Sequence, residues 1–262
     1  MTETTALDTA HAAMHAAPND DKVRLRFFER LADSELFLML TEEAQGENIS
    51  PEVFDVADGQ FVLAFDREDR LAQFADRPVP YVALSGRVLS SMLAGQGIGL
   101  GLNLEVAPSS MLIPAEALGW LATTLQHGPE EVQERIAEFL PPKGLPDNLL
   151  TALDTKLATA GGLAQSAYLV ATKSEHGATG HLLGFVGAIE GAEAALATAA
   201  SEALTFSGVE AGAMDVGFFA MDDVAAGLLA KTGLRFDLPQ PEQPDTIRPA
   251  PGSDPEKPPM LK

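Results

Sequence analysis

His11 and His15, four positions apart, are the first residues in the chain whose types and spacing could do chemistry. On a helix that spacing puts both imidazoles on one face, where a third donor would complete a zinc site. The intervening Ala12-Ala13-Met14 supplies neither that donor nor a general-base glutamate, so incidental histidines are the favoured reading. His176 and His181 bracket an expected turn as a second pair able to share a ligand, and His127 stands alone. Gly95-Gln96-Gly97-Ile98-Gly99-Leu100-Gly101 is the strongest candidate for a ligand loop. Phosphate-binding glycine loops aim backbone amides at the anion from a helix N-terminus. This run lacks the G-x-G-x-x-G spacing and any Gly-Lys-Ser/Thr, and it leads into an expected strand at Leu102-Asn103-Leu104. A turn or a close approach between backbones is favoured, with a nucleotide site and a peptide- or small-ligand-binding loop as the alternatives.

Nucleophilic and acid–base chemistry finds little support. No G-x-S-x-G elbow is present; Leu84-Ser85-Gly86 and Pro108-Ser109-Ser110 are poor substitutes, and Ser109 or Ser110 fits turn hydrogen bonding better. Asp222-Asp223 stands where a helix cap is expected, and Glu42-Glu43 precedes a loop. Glu29 lies among Arg24, Arg26 and Arg30, a set suited to local ion pairs or to orienting a partner. Trp120 reads as a core or domain-interface residue rather than a ligand cap. The expectation is no catalytic, cofactor-binding or metal-ligating residues, and no cofactor.

The composition narrows the classes further. Cysteine is absent, which removes disulfides, thiolate nucleophiles and cysteine metal ligands together. The 38 acidic residues against 17 basic ones give a net charge of -21, a field that repels nucleic-acid backbones. The N-terminal residues lack the basic flank and apolar core of a secretion signal, and apolar runs fall short of the ~20 residues that span a bilayer. A cytoplasmic protein with no nucleic-acid or membrane partner is expected.

The elements that must position these residues follow from periodicity and breakers. Helices are expected over 7–17 and 22–31, a strand at 35–40, and a hairpin of Val53–Val56 and Phe61–Phe65 around Asp58-Gly59. A helix over 67–74, a strand at 81–84, a helix over 85–94, a strand at 111–113 and a helix from Pro114 to Leu125 follow. Beyond Gly128-Pro129, the spacing of Val132, Ile136, Phe139 and Leu140 predicts an amphipathic helix from Glu130 to Leu140, stopped by Pro141-Pro142. Strands at 164–171, 181–189 and 214–220, helices over 191–204 and 222–229, and an apolar piece at 234–238 suggest a small sheet covered by two helices. The fold class is α/β or α+β: two compact domains, each a short-stranded mixed sheet packed by helices. The divisions are 1–127, a linker with a short helix over 128–163, a smaller domain over 164–238, and a Pro-rich disordered tail over 239–262.

Several passages together resemble a known family. They are Arg24 through Leu38 (RLRFFERLADSELFL), Phe61-Val62-Leu63-Ala64-Phe65 with Arg70-Leu71, Tyr81-Val82-Ala83-Leu84-Ser85-Gly86, and Gly101-Leu102-Asn103-Leu104 ahead of Ser109-Ser110-Met111-Leu112-Ile113-Pro114. Over about residues 20–125 the chain resembles the SseB family, named for enhanced serine sensitivity in bacteria, and after Ala164 it resembles that family's smaller C-terminal domain more weakly. The resemblance implies a fold and some link to serine tolerance; it carries no catalytic residues to transfer. The expected function is that of a non-catalytic binding or regulatory protein with a protein partner, as monomer or homodimer. The alternatives are a small-metabolite sensor or enzyme with a site between the domains, drawing on Asn103, Ser109 and Ser110, and an assembly or scaffold component.

Overall fold

Thr5 and Asp8 start the first helix by serving each other: the Thr5 hydroxyl accepts from the Asp8 N–H and the Asp8 carboxylate accepts from the Thr5 N–H. This capping box satisfies two of the donors that a helix N-terminus leaves open. In the computed structural model, which describes residues 3–44, 46, 48–56, 59–126, 136–174, 179–209 and 214–240, the box opens α1 (Ala6–Ala16). Asp20 caps α2 (Asp21–Asp33) through its carboxylate, which accepts from Lys22 N–H, and β1 (Glu35–Met39) follows after a single residue. β2 (Val53–Val56) and β3 (Gly59–Phe65) pair as an antiparallel hairpin; Asp58 of its expected turn lies outside the described residues. α3 (Glu68–Ala75), β4 (Tyr81–Ser85), α4 (Gly86–Leu93), β5 (Ile98–Leu102), β6 (Met111–Ile113) and α5 (Ala115–Gln126) complete this domain.

Its sheet runs β4-β1-β3-β5-β6, with β2 also on β3, and is mixed because β3 and β5 are parallel. Strand alternation sorts two cores. Leu36 and Leu38, Val62 and Ala64, and Leu100 and Leu102 face Phe27 and Leu31 of α2 and Leu118 and Leu121 of α5. Leu63 and Phe65 face the opposite side, where Leu71 of α3 and Phe74 cover them. The glycine run divides between two roles. Gly95 and Gly97 take positive φ (76° and 70°) in the turn, whereas Gly99 and Gly101 lie within β5, which begins at Ile98 rather than Leu102. A Cβ on Gly99 would come within 2.6 Å of the Ile113 carbonyl oxygen, and one on Gly101 within 2.5 Å of Leu63 Cδ2. These glycines let the side chains of β3 lie across the neighbouring strand, and they close the space that a phosphate cradle would need.

The second domain comprises β7 (Ile136–Leu140), α6 (Asp147–Leu157), β8 (Ser166–Ser174), β9 (Thr179–Val186), α7 (Glu193–Phe206), β10 (Asp215–Phe219), α8 (Val224–Thr232) and β11 (Leu234–Asp237). The order is β10-β9-β8-β11. β7 and β11 sit end to end along one side of β8, β11 opposite Ser166 to Leu169 and β7 opposite Ala171 to Ser174. β10 is parallel to β9 and the other pairs are antiparallel. α6 and α7 bury Leu153, Leu157, Leu196 and Ala200 against Leu169, Leu183 and Phe185 on one face. Among the described residues the opposite face carries α8 alone, through Ala226 and Leu229 on Tyr168, Val170 and Leu182. The architecture is thus two compact α+β domains, each a short mixed sheet packed by helices.

Three expectations need correction. The helix expected from Glu130 to Leu140 is, over its described part, strand β7, because pairing with distant β8 overrides a spacing that also fits a helix. The stretch expected as a linker holds β7 and the buried helix α6, and the second sheet is covered by three helices rather than two. At the start of the expected tail, the Pro239 carbonyl accepts from Gly162 N–H at 2.8 Å and Gln240 Nε2 donates to the Ala164 carbonyl at 3.0 Å, while residues 241–262 lie outside the described ones. No helix among the described residues is long and apolar enough to cross a membrane.

Candidate functional site

Because α8 covers only part of its face of the second sheet, the uncovered part is an open groove of about 1010 Å³. Its floor is Phe139 of β7, Thr172 of β8, Gly180 and Leu182 of β9, and Gly217 and Phe219 of β10. The pairing register explains why these residues share a face: Phe139 lies opposite Thr172, and Thr172 opposite Gly180. Gly184 and Gly217 lie side by side on the same face. A Cβ on Gly184 would come within 2.7 Å of Leu229 Cδ1, so glycine there lets α8 settle onto the sheet. Phe139 and Phe219 lean together edge to face, ring centroids 6.5 Å apart.

The wall is α8, started by Asp223, whose carboxylate accepts from Ala225 N–H at 2.9 Å. It presents Val224, 81% exposed, and Leu228, 48% exposed, at helical spacing i and i+4. Ile136 adds a further exposed apolar side chain on the far side. The charged lining residues are Glu138, Asp215 and Asp223, and no lysine, arginine or histidine lines the groove among the described residues. The lining also carries the hydroxyls of Thr172, Ser174 and Thr179. What this surface can do is desolvate an apolar segment and attract positive charge around it.

Asn103 and Ser109 do meet, but in a closed polar knot within the first domain. Asn103 Nδ2 donates to Ser109 Oγ at 2.9 Å, and Ser109 Oγ donates to Asp8 Oδ1 at 2.6 Å. Arg70 donates to Asp8 Oδ2 at 2.5 Å and to Asp66 Oδ1 at 2.7 Å, and Asn103 Oδ1 accepts from Asp66 N–H. Asp8, Arg70, Asn103 and Ser109 are all buried. Burial alone would raise the Asp8 carboxyl; hydrogen bonds from Arg70, Ser109 and the Thr5 N–H, with the Arg70 charge, outweigh it and hold the group well below the usual carboxylate range. The knot pins α1 to the sheet ends of β3 and β5 and leaves the serine no access to a substrate. Ser110 stays outside it, accepting from Glu105 N–H at 3.2 Å.

A second set of charges fills the junction between the domains. Lys156 Nζ of α6 lies 2.7 Å from Asp33 Oδ2 of α2 and 2.8 Å from Glu202 Oε2 of α7. Arg87 of α4 reaches Glu202 Oε1 at 2.7 Å, and Arg26 donates to Thr155 Oγ1 at 3.0 Å. Burial raises the Glu202 carboxyl, but the hydrogen bonds and charges of Arg87 and Lys156 prevail and lower it. Glu29 goes the other way: burial dominates and raises it despite Arg26 at 3.0 Å and Arg30 at 3.8 Å, and its Oε1 has no hydrogen-bond partner among the described residues. Phe206 of α7 joins the first domain's core. Trp120 stands beside it with centroids 6.5 Å apart, in edge contact with Phe28.

The remaining candidates do not converge. His11 and His15 are neighbours at 6.3 Å, with His11 edge-on to Phe27, and burial followed by the His15 charge lowers the His11 pKa. His181 Nε2 lies 3.1 Å from the Lys143 carbonyl, and His127 and His176 lie outside the described residues. Ser85 caps α4, Arg24 pairs with exposed Asp21, Glu42 accepts from the Ser50 hydroxyl, and Glu43 and Asp222 are exposed. No group of three or more His, Cys, Asp or Glu side chains able to hold a metal occurs among the described residues. Sequence reasoning passed over Asp8, Asp66, Lys156 and Glu202; only the i,i+4 spacing of Asp66 and Arg70 was a local signal.

No curated protein and no solved structure matches the chain. Over residues 7–120 the chain matches the model of the SseB protein N-terminal domain, and the match ends before the domain that carries the groove.

Proposed function

We propose that the chain is a non-catalytic binding protein with a regulatory role, and that a protein partner docks in the groove of the second domain. The observation that carries this reading is the pair Val224 and Leu228, large apolar side chains left exposed on the one face of the second sheet that has a single helix. Exposed apolar side chains beside a concave apolar floor are the usual mark of an interaction surface. Asp8 and Arg70 are tied into the closed knot, and Lys156, Asp33 and Glu202 into the junction between the domains. A tie to serine tolerance follows from the likeness to the SseB family and belongs to the same proposal.

The test compares native-lysate captures by the full chain and by a Val224→Ser/Leu228→Ser variant. Proteins held by the first and lost from the second support the reading. Identical captures by both, or turnover of a defined metabolite by purified protein, would overturn it. A thermal-shift screen with serine and related amino acids addresses the metabolite-sensor alternative, since a ligand at 100 times its Kd stabilises by about 2.7 kcal/mol.

A further inference from the structure

We infer that the occupant of this groove is an amphipathic helix with basic flanks, supplied by a cationic protein partner; the inference rests on the groove being the docking site. The shape argument comes from the sheet. β10, β9, β8 and the β7/β11 row lie abreast, and the opposite face of this sheet seats two helices side by side, α6 and α7. Among the described residues this face carries only α8, with the groove beside it. The open surface is the side-chain face of the sheet, which an extended strand added beside β10, the outer strand among the described residues, would not fill. A helix laid beside α8 would instead set an i, i+3, i+4 stripe against Val224, Leu228 and Phe219.

Charge selects among helices. Every charged residue lining the groove among the described ones is acidic, namely Glu138, Asp215 and Asp223, and the chain as a whole carries -21. A second copy of this chain would bring the same acidic rim and the same net charge against itself, so self-docking is opposed at long range. Lysines or arginines flanking the apolar stripe would meet Glu138 and Asp223.

The test uses the full chain and three synthetic peptides about five turns long: a Lys/Leu amphipathic helix, the same helix with Glu replacing Lys, and a Lys/Leu peptide scrambled to remove the apolar stripe. Binding is read by fluorescence anisotropy. The expected result is saturable binding of the first peptide, at least about tenfold weaker binding of the other two, and about tenfold weakening by the Val224→Ser/Leu228→Ser variant. Glu138→Lys, at an exposed site, should weaken the Lys/Leu peptide and lessen its salt sensitivity. Three outcomes overturn the inference: no binding of the Lys/Leu helix, equal binding of the scrambled or Glu peptide, or undiminished binding to the double variant. If one of these occurs while the double variant still loses its lysate partners, the groove remains a docking site and only the basic-helix occupant falls. If the double variant also keeps those partners, both readings fall.

Discussion

Replacing Arg70 with methionine removes the one cation of the buried knot while keeping most of its volume. Arg70 is 1% exposed, and the side chains it leaves behind, Asp8 and Asp66, are 2% and 4% exposed. Breaking a buried pair by deleting one partner costs about 3–5 kcal/mol, because the remaining charge keeps its desolvation penalty. A domain of ordinary stability, about 5–15 kcal/mol, would lose about a fifth of it or more. The assay is urea unfolding followed by the fluorescence of Trp120, the single tryptophan, which packs on Phe28 of the first domain. The pH dependence supplies a second, signed readout. In the native chain the folded Asp8 pKa lies below its unfolded value, so its contribution is complete above about pH 4 and is lost as pH falls through the folded value. Without Arg70, burial remains while one hydrogen bond and the charge that lower the group are lost, so the folded value moves up and less of that contribution is left at neutral pH. The stability gap between Arg70→Met and the native chain should therefore narrow on acidification. An Asp8→Asn/Arg70→Met cycle should be non-additive by about 0.5–3 kcal/mol. A loss below about 1 kcal/mol, or a gap unchanged as pH is lowered from neutral to well below the unfolded value of about 4, would refute the reasoning.

Glu29→Gln tests the opposite sign at the domain junction: burial raises the Glu29 carboxyl, so the variant should be more stable than the native chain at neutral pH, with the advantage shrinking as pH falls below the folded value. Chemical unfolding at two pH values checks it. Gly86→Ala should destabilise by about 1–3 kcal/mol or more, because a Cβ there would lie 1.8 Å from the Leu31 carbonyl oxygen and push α4 off α2; the melting temperature reports it. The Val224→Ser/Leu228→Ser variant should alter stability by no more than about 0.5 kcal/mol per site, as surface positions do. A larger loss by calorimetry would mean that the two side chains support the fold rather than face a partner.

Much of the fold was legible from local pattern. The Phe27, Leu31 face of α2, the run at β1, the hairpin strands β2 and β3, and the sequence of helices and strands after Ala164 all follow from periodicities of 3.6 and 2 and from cap residues such as Asp20 and Asp223. β7 misled because four apolar residues at helical spacing also satisfy an edge strand, and the choice is made by β8, more than thirty residues further on. The glycine run was legible in kind, as a turn or a close approach between backbones: Gly95 and Gly97 turn, and only the placing of Phe61 and Leu63 across β5 shows what Gly99 and Gly101 make room for.

Residue types alone determined that the chain has no thiol chemistry, carries a strongly negative field and alternates helices with short strands, because these are properties of side chains taken singly or within a few turns. Tertiary structure alone decided which polar groups are spent on holding the fold. Asp8 meets Arg70 across 62 positions and Lys156 meets Asp33 across 123, separations over which no local periodicity carries information. The groove belongs to the same class. No local spacing marks Val224 and Leu228 as exposed, and only the seating of α8 over part of its sheet leaves them facing water.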